Sequence, residues 1–304
     1  MQPILGAGVD RRAFLSRSIA VAAGLCGLDA GAREPLKRSP GGPLRLSLAA
    51  YSLRSLLDLK KPTMTLEEFI SQSAAWGFDG VELTEYFFPK PITAESIRAL
   101  KLRAALCGVD ITGTPVGNNF ALPPGAEREK QLDAVRAWIR VSADLGSPAI
   151  RVFAGSAPAG VEEAKARAWV VECLETLCAD TERHGVFLAV ENHGGVVSTA
   201  DGLLEIVRAV KCPWVAVNLD TGNFHTPDPY GDLERCAPYA ITCQLKLDMS
   251  PAGQKKGPAD IARIVAILRK TEYRGYVTLE YESDGDPVTE IPRRLKELRS
   301  LLRE

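Results

Sequence analysis

At 304 residues, with 46% hydrophobic and 25% charged residues, the chain has the size and balance of one large α/β barrel or two ordinary soluble domains. A net charge of −1 gives no general attraction for nucleic acid or for an anionic membrane surface. The seven cysteines contain no Cys-x-x-Cys pair and resemble neither a zinc site nor a disulfide scaffold, so Cys173 and Cys178, on one expected helix, read as packing residues.

The first 32 residues differ in kind from the rest. Asp10-Arg11-Arg12-Ala13-Phe14-Leu15 is a twin-arginine pattern, followed by an apolar run from Ile19 to Leu28 and a small-residue cleavage site at Ala30-Gly31-Ala32. The run is too short to span a bilayer as a stable helix. Cys26 follows Leu25 rather than a small residue, which argues against a lipid anchor. Residues 1–32 are therefore expected to be a twin-arginine signal peptide, with the mature protein periplasmic or extracellular and without a stable membrane anchor. Residues 33–43 carry too much Pro and Gly for a regular element and read as a linker.

From residue 44 strands and helices alternate. Leu44–Ala50 reads as a strand, and Thr65–Trp76 as a helix opened by Thr65 with Glu67 and Glu68 in its first turn. The strand Gly80–Thr84, the helix Thr93–Leu106 and the strand Val109–Thr114 follow. Then come the helix Glu127–Leu145, closed by Gly146, the strand Ala149–Ala154, and a long helix Val161–His184, closed by Gly185. Four further strand-like segments end in polar residues: Phe187–His193, whose apolar part is Val186–Val190, Trp214–Asp220, Ile241–Lys246 and Tyr276–Glu280. Helices are expected at Ala200–Val210, roughly Asp232–Cys236, Ala259–Lys270 and Pro287–Leu302. Eight strands alternating with eight helices over about 260 residues is the size and order of a single-domain TIM (β/α)8 barrel across 44–304. A doubly wound open sheet is the alternative, but no Gly-x-Gly-x-x-Gly follows any strand.

In a barrel of this kind functional groups stand at the C-terminal ends of the strands. Residues i and i+2 share a face, so Glu191 pairs with His193, Asp220 with Asn218, Gln244 with Lys246, and Glu280 with Glu282. If Glu191, Asp220, Gln244 and Glu280 point into the mouth, three carboxylates and one amide oxygen converge there. Such anions repel and raise one another's pKa values unless a cation stands between them. Oxygen-rich ligation with a Gln amide favours one Mn2+ or Mg2+ over zinc, and octahedral Co2+ or Ni2+ also fits.

The segments Leu188-Ala-Val-Glu-Asn-His193, Asn218-Leu-Asp-Thr-Gly-Asn223, Gln244-Leu-Lys246 and Gly275-Tyr-Val-Thr-Leu-Glu280 resemble the sugar phosphate isomerase/epimerase family, the xylose isomerase-like barrels. The resemblance covers roughly 44–304. It implies one divalent metal, Mn2+ in the first place, held by Glu191, Asp220, Gln244 and Glu280. It also implies proton abstraction beside the carbonyl of a keto sugar or related hydroxy-carbonyl compound. Glu191 and Glu280 would then be both ligands and acid/base groups, and Lys246 would stabilise the enediolate charge. Gln in place of the His found in many members makes the third position similar to that of hydroxypyruvate isomerase.

Glu82 and Arg151 interrupt buried strands with charge and are expected either to pair structurally or to contact substrate. Gly117-Asn118-Asn119-Phe120 resembles the family's substrate loop, which makes Asn118 a candidate contact. His193 and His225 closely follow ligand positions and read as hydrogen-bonding residues for substrate. Residues 248–258 form a long basic loop, a lid or a solvated loop. The expected partner is a small carbohydrate, not nucleic acid, and a homo-oligomer is compatible with the reading. Two other functions stay open: a metal-dependent lyase or hydratase acting on keto sugars or keto glycosides, and a non-catalytic sugar-binding barrel. Only three histidines are present, which disfavours a three-metal nuclease on the same barrel.

Overall fold

A computed structural model describes residues 33–39 and 42–303. The expected signal peptide and residues 40–41 of the linker lie outside the described residues. Eight parallel strands alternate with helices: β1 (Arg45–Ala49), α1 (Leu66–Trp76), β2 (Gly80–Glu82), α2 (Ala94–Cys107), β3 (Asp110–Gly113), α3 (Ala126–Leu145) and β4 (Ala149–Phe153). Then follow α4 (Glu163–Thr176), α5 (Cys178–His184), β5 (Phe187–Glu191), α6 (Ala200–Ala209), β6 (Val215–Asp220), α7 (Pro229–Cys236), β7 (Ala240–Leu245), α8 (Ile261–Lys270), β8 (Tyr276–Leu279) and α9 (Pro287–Arg303). The strand order is β3-β2-β1-β8-β7-β6-β5-β4. The remaining seam, between β3 and β4, is bridged just past β3 by Thr114 N–H to Ala149 O and Val116 N–H to Arg151 O, both 3.1 Å. The expected (β/α)8 barrel is what the chain forms.

Local chemistry accounts for the element ends. Thr65 Oγ1 accepts from Glu68 N–H at 3.2 Å while Glu68 Oε2 accepts from Thr65 N–H at 2.7 Å, a reciprocal cap that contributes about 1 kcal/mol to α1. Gly146 and Gly185 close their helices in the left-handed conformation, φ 79° and 65°, where a side chain would be strained. The expected helix Val161–His184 is two helices. Its break falls at the fully buried Leu177, and the second piece starts with Cys178, which is disulfide-bonded to Cys212. Cys178 is therefore a cross-linking rather than a packing residue, whereas Cys173 is buried and free.

Strand interiors such as Leu188, Ala189 and Val190 are wholly buried, as strands covered on both faces must be. Beneath the mouth the barrel is filled by small groups: Ser47 Oγ and Thr112 Oγ1 share a hydrogen bond of 2.8 Å. A Cβ at Gly80 would lie 2.4 Å from Thr112 Cγ2. Residues 33–39 have no regular structure. They run across the opposite end, with Arg33 N–H on Arg208 O at 3.1 Å and Leu36 N–H on Pro238 O at 3.0 Å. Among the described residues no helix is long and apolar enough to cross a membrane.

Candidate active site

The strand register brings the predicted residues to one end of the barrel. Glu82 ends β2, Glu191 ends β5, Asp220 ends β6, Gln244 is the last residue but one of β7, and Glu280 follows β8. Cross-strand pairing of Glu191 with Asn218, Asp220 with Gln244, and Gln244 with Thr278 sets them at one level. Glu82, Arg151, Glu191, Asn218, Asp220, Gln244 and Glu280 are all buried.

Arg151, from β4, lies against Glu191, with Nε 2.8 Å from Oε2. Its Nη1 donates to Val116 O at 3.0 Å, and its guanidinium stacks 3.9 Å from the Phe153 ring centroid. The other Glu191 oxygen, Oε1, accepts from Asn223 Nδ2 at 2.8 Å. Asp220 Oδ1 accepts from Gly222 N–H at 2.8 Å, whereas Asp220 Oδ2 has no hydrogen-bond partner. Lys246 Nζ lies 3.3 Å from that oxygen, within ion-pair range but out of alignment for a hydrogen bond, and 3.5 Å from Glu280 Oε1.

Gln244 belongs to a directed chain. Thr242 Oγ1 donates to Asn218 Oδ1, Asn218 Nδ2 donates to Gln244 Oε1, both at 2.7 Å, and Gln244 Nε2 donates to Glu82 Oε1 at 2.8 Å. The chain runs from the Thr242 hydroxyl to the Glu82 carboxyl, with each amide donating onward to the next oxygen. Glu82 is thereby joined to the rest of the cluster through Gln244 rather than paired with Arg151.

Burial dominates the electrostatics. It pushes the Glu82 carboxyl up to about 8, helped by the Glu280 charge and opposed by the Gln244 hydrogen bond. It pushes Glu191 up to about 7, against the pull of Arg151. Asp220 and Glu280 are also raised by burial, with Lys246 opposing in both. Lys246 itself is raised, because Asp220, Glu280 and Glu282 outweigh the cost of its burial.

This donor set fits a hard divalent cation in chemistry and in charge. Four buried carboxylates face Arg151 and Lys246, and one carboxylate oxygen is left without a hydrogen. Its present arrangement is closed around Lys246: among the described residues no group of three His, Cys, Asp or Glu side chains is set to hold an ion.

The remaining predicted residues lie around this cluster. Asn118 commits both ends of its amide to the Phe153 backbone, donating to its carbonyl at 2.8 Å and accepting from its N–H at 2.9 Å, so it continues the β3–β4 seam. His193 is exposed at the mouth, its ring 4.6 Å from that of Phe153. His225 stands farther out, with Nδ1 3.0 Å from Ser250 O. The 248–258 loop is a small hairpin in which Asp248–Met249 pair with Gly257–Pro258. Ala252 N–H bonds Thr226 O at 3.0 Å and Lys256 Nζ bonds Glu282 O at 3.1 Å. Between hairpin and rim is a cavity of about 200 Å³, lined in part by Asn223, His225, Lys246, Lys256 and Glu282.

Two contacts of the site escaped the sequence reading. Asn223 holds Glu191, and Glu282 holds Lys246 at 2.6 Å. For Asn223 the usable signal was its place three residues after Asp220; for Glu282 it was the face shared with Glu280.

Residues 70–304 match the xylose isomerase-like TIM barrel family, and the chain belongs to that family. No curated protein matches the chain in sequence. Among solved structures it is similar to D-psicose 3-epimerase from Clostridium cellulolyticum H10, with a TM-score of 0.70 and 16% identity over 85% of this chain and 99% of that one. It is similar to a 3-keto-D-glucoside 4-epimerase from E. coli, with a TM-score of 0.68 and 16% identity over 84% of this chain and 99% of that one. A xylose isomerase domain protein from Planctomyces limnophilus gives 0.65 and 17% over 86% and 98%. At these identities the likeness is one of fold.

Proposed function

We propose that the protein is a divalent-metal-dependent sugar isomerase/epimerase acting on a keto sugar or related hydroxy-carbonyl compound. The observation that carries this reading is the set of buried carboxylates at the barrel mouth, with Glu191 and Glu280 on strand ends separated by β6 and β7. A bound divalent cation, Mn2+ by preference, supplies polarisation of the substrate carbonyl and its neighbouring hydroxyl, which acidifies the adjacent C–H. Glu191, Asp220, Glu280 and the Gln244 oxygen would hold it, and Asp220 Oδ2 is the donor already without a hydrogen.

Glu191 and Glu280 face the substrate from two sides. One removes the proton from the carbon beside the carbonyl, the electron pair moves to the carbonyl oxygen, and a proton is returned by the other. Return to the opposite face of the same carbon epimerises; return to the neighbouring carbon, with the hydroxyl proton passing to the former carbonyl oxygen, isomerises. Arg151 and Asn223 fix the Glu191 carboxylate, and the Lys246 ammonium balances the enediolate charge. His193 and the polar rim would bind sugar hydroxyls.

The test is exchange of the carbon-bound proton of a panel of keto sugars in D2O, followed by NMR. The wild type should exchange it, and Glu191→Gln and Glu280→Gln should each slow exchange by about 10²–10⁴-fold. Undiminished exchange in Glu280→Gln contradicts its acid/base role.

A second reading is favoured by the cavity beside Lys246. It leaves room for a second group on the substrate, as in a keto glycoside, where the same deprotonation would expel a leaving group from the β-carbon. Release of the free alcohol during turnover distinguishes this lyase from an epimerase. Export by the twin-arginine route, with a periplasmic or extracellular location, is part of the proposal. The Cys178–Cys212 disulfide supports it, because such bonds persist in oxidising compartments.

A further inference from the structure

Lys246 occupies a position that charge stabilisation alone does not explain. It follows the end of β7, and its side chain folds back between Asp220 and Glu280, two of the proposed ligands. Its contacts there, 3.3 and 3.5 Å, are the long ones. The short one is outward, 2.6 Å to Glu282 Oε2, and the ammonium also donates to Asn223 Oδ1 at 3.2 Å. The ammonium thus stands between two anionic positions, one inside the ligand cluster and one at the rim. Its path is shaped by Gly222, where a Cβ would lie 2.8 Å from Lys246 Cδ and 2.9 Å from its Cβ. A side chain at 222 would force the lysine stem to move.

We propose that Lys246 is a tethered counter-cation that stands in the ligand cluster of the metal-free protein and withdraws onto Glu282 to admit the divalent ion. This rests on the metal-dependent reading above. The physical argument is exclusion: an ammonium and a divalent cation repel at a few ångströms, so the two cannot share the space between Asp220 and Glu280. In the metal-free chain the ammonium neutralises carboxylates that would otherwise be buried beside one another unpaired. In the loaded chain Glu282, less buried and already in contact, receives it. Metal affinity is then weakened by the fraction of time the lysine spends inside. A withdrawn state populated about one time in ten weakens binding about tenfold.

The test is calorimetric titration of MnCl2 into chelator-stripped full chain, for the wild type, Lys246→Met and Lys246→Met/Glu282→Gln. The double variant restores the wild-type net charge and removes the occupant. Lys246→Met should bind Mn2+ about tenfold more tightly or better, and the double variant should match it. Wild-type affinity in the double variant would mean that only net charge matters, and would overturn the proposal. Equal affinity in the wild type and both variants would overturn it while leaving the metal site standing. No Mn2+ binding in any of the three would overturn the metal-dependent reading and this proposal together. Should Lys246→Met fail to fold, the charge-balanced double variant answers the same question against the wild type.

Discussion

Glu82 reaches the barrel mouth from the end of β2, and it is held there by a hydrogen bond from Gln244. Its folded pKa, about 8, stands above its ordinary 4.5, so between those values the folded chain binds more protons than the unfolded one. The stability it contributes is full below about pH 4.5 and is lost as the pH rises through 8. For the metal-free protein this is on the order of a few kcal/mol. Glu82→Gln keeps an acceptor for Gln244 and should flatten the fall of the melting temperature across that window. An unchanged slope would place the titration elsewhere. Asn118 offers a second test. Asn118→Ala leaves the half-buried Phe153 N–H and C=O without their amide, and should cost about 1 kcal/mol in urea unfolding. Unaltered stability would remove Asn118 from the seam. The residues of the buried cluster were legible because each is a polar group ending an apolar run, a local pattern. Asn223 and Glu282 sit in loops, and what they hold depends on how β6 and β8 are placed beside β7, which no local pattern records.

Element boundaries followed from local physics wherever a cap was present. Thr65, Gly146 and Gly185 act where the sequence placed them. The division between α4 and α5 did not follow, because Val161–His184 is continuous in helical spacing; the break falls beside a cross-link to a distant segment. Cys212 precedes β6 and is bonded to Cys178, closing a loop with a sequence separation of 34. Its removal by Cys178→Ser/Cys212→Ser should cost about 2–4 kcal/mol, read as a lower unfolding midpoint. Reductant should shift the wild type toward the same midpoint and leave the variant unmoved. A reductant-insensitive wild type would contradict a formed disulfide. The 248–258 hairpin shows the same division. Its length and charge were visible, and its anchoring to Thr226 and Glu282 was not.

For the whole molecule, the alternation of strand and helix spacing over 44–304 identified the barrel, because each βα unit carries its own signal and short connections leave few ways to join them. The substrate is not written in the same way. It depends on loop geometry at the mouth, and one barrel supports many chemistries. Localisation is a separate matter of the first 32 residues. Replacing Arg11 and Arg12 with Lys should retain the protein in the cytoplasm on fractionation, whereas export of that variant would contradict the twin-arginine reading.

The central claim is that the carboxylates gathered at the mouth form a one-metal site. Elemental analysis of full chain purified without chelator, alongside Asp220→Asn, tests it most directly. The account predicts one divalent ion per chain, of Mn, Mg or Co type, and its loss in the variant. A chain that holds no ion even after incubation with Mn2+, or one that keeps its ion when Asp220 is changed, would contradict it.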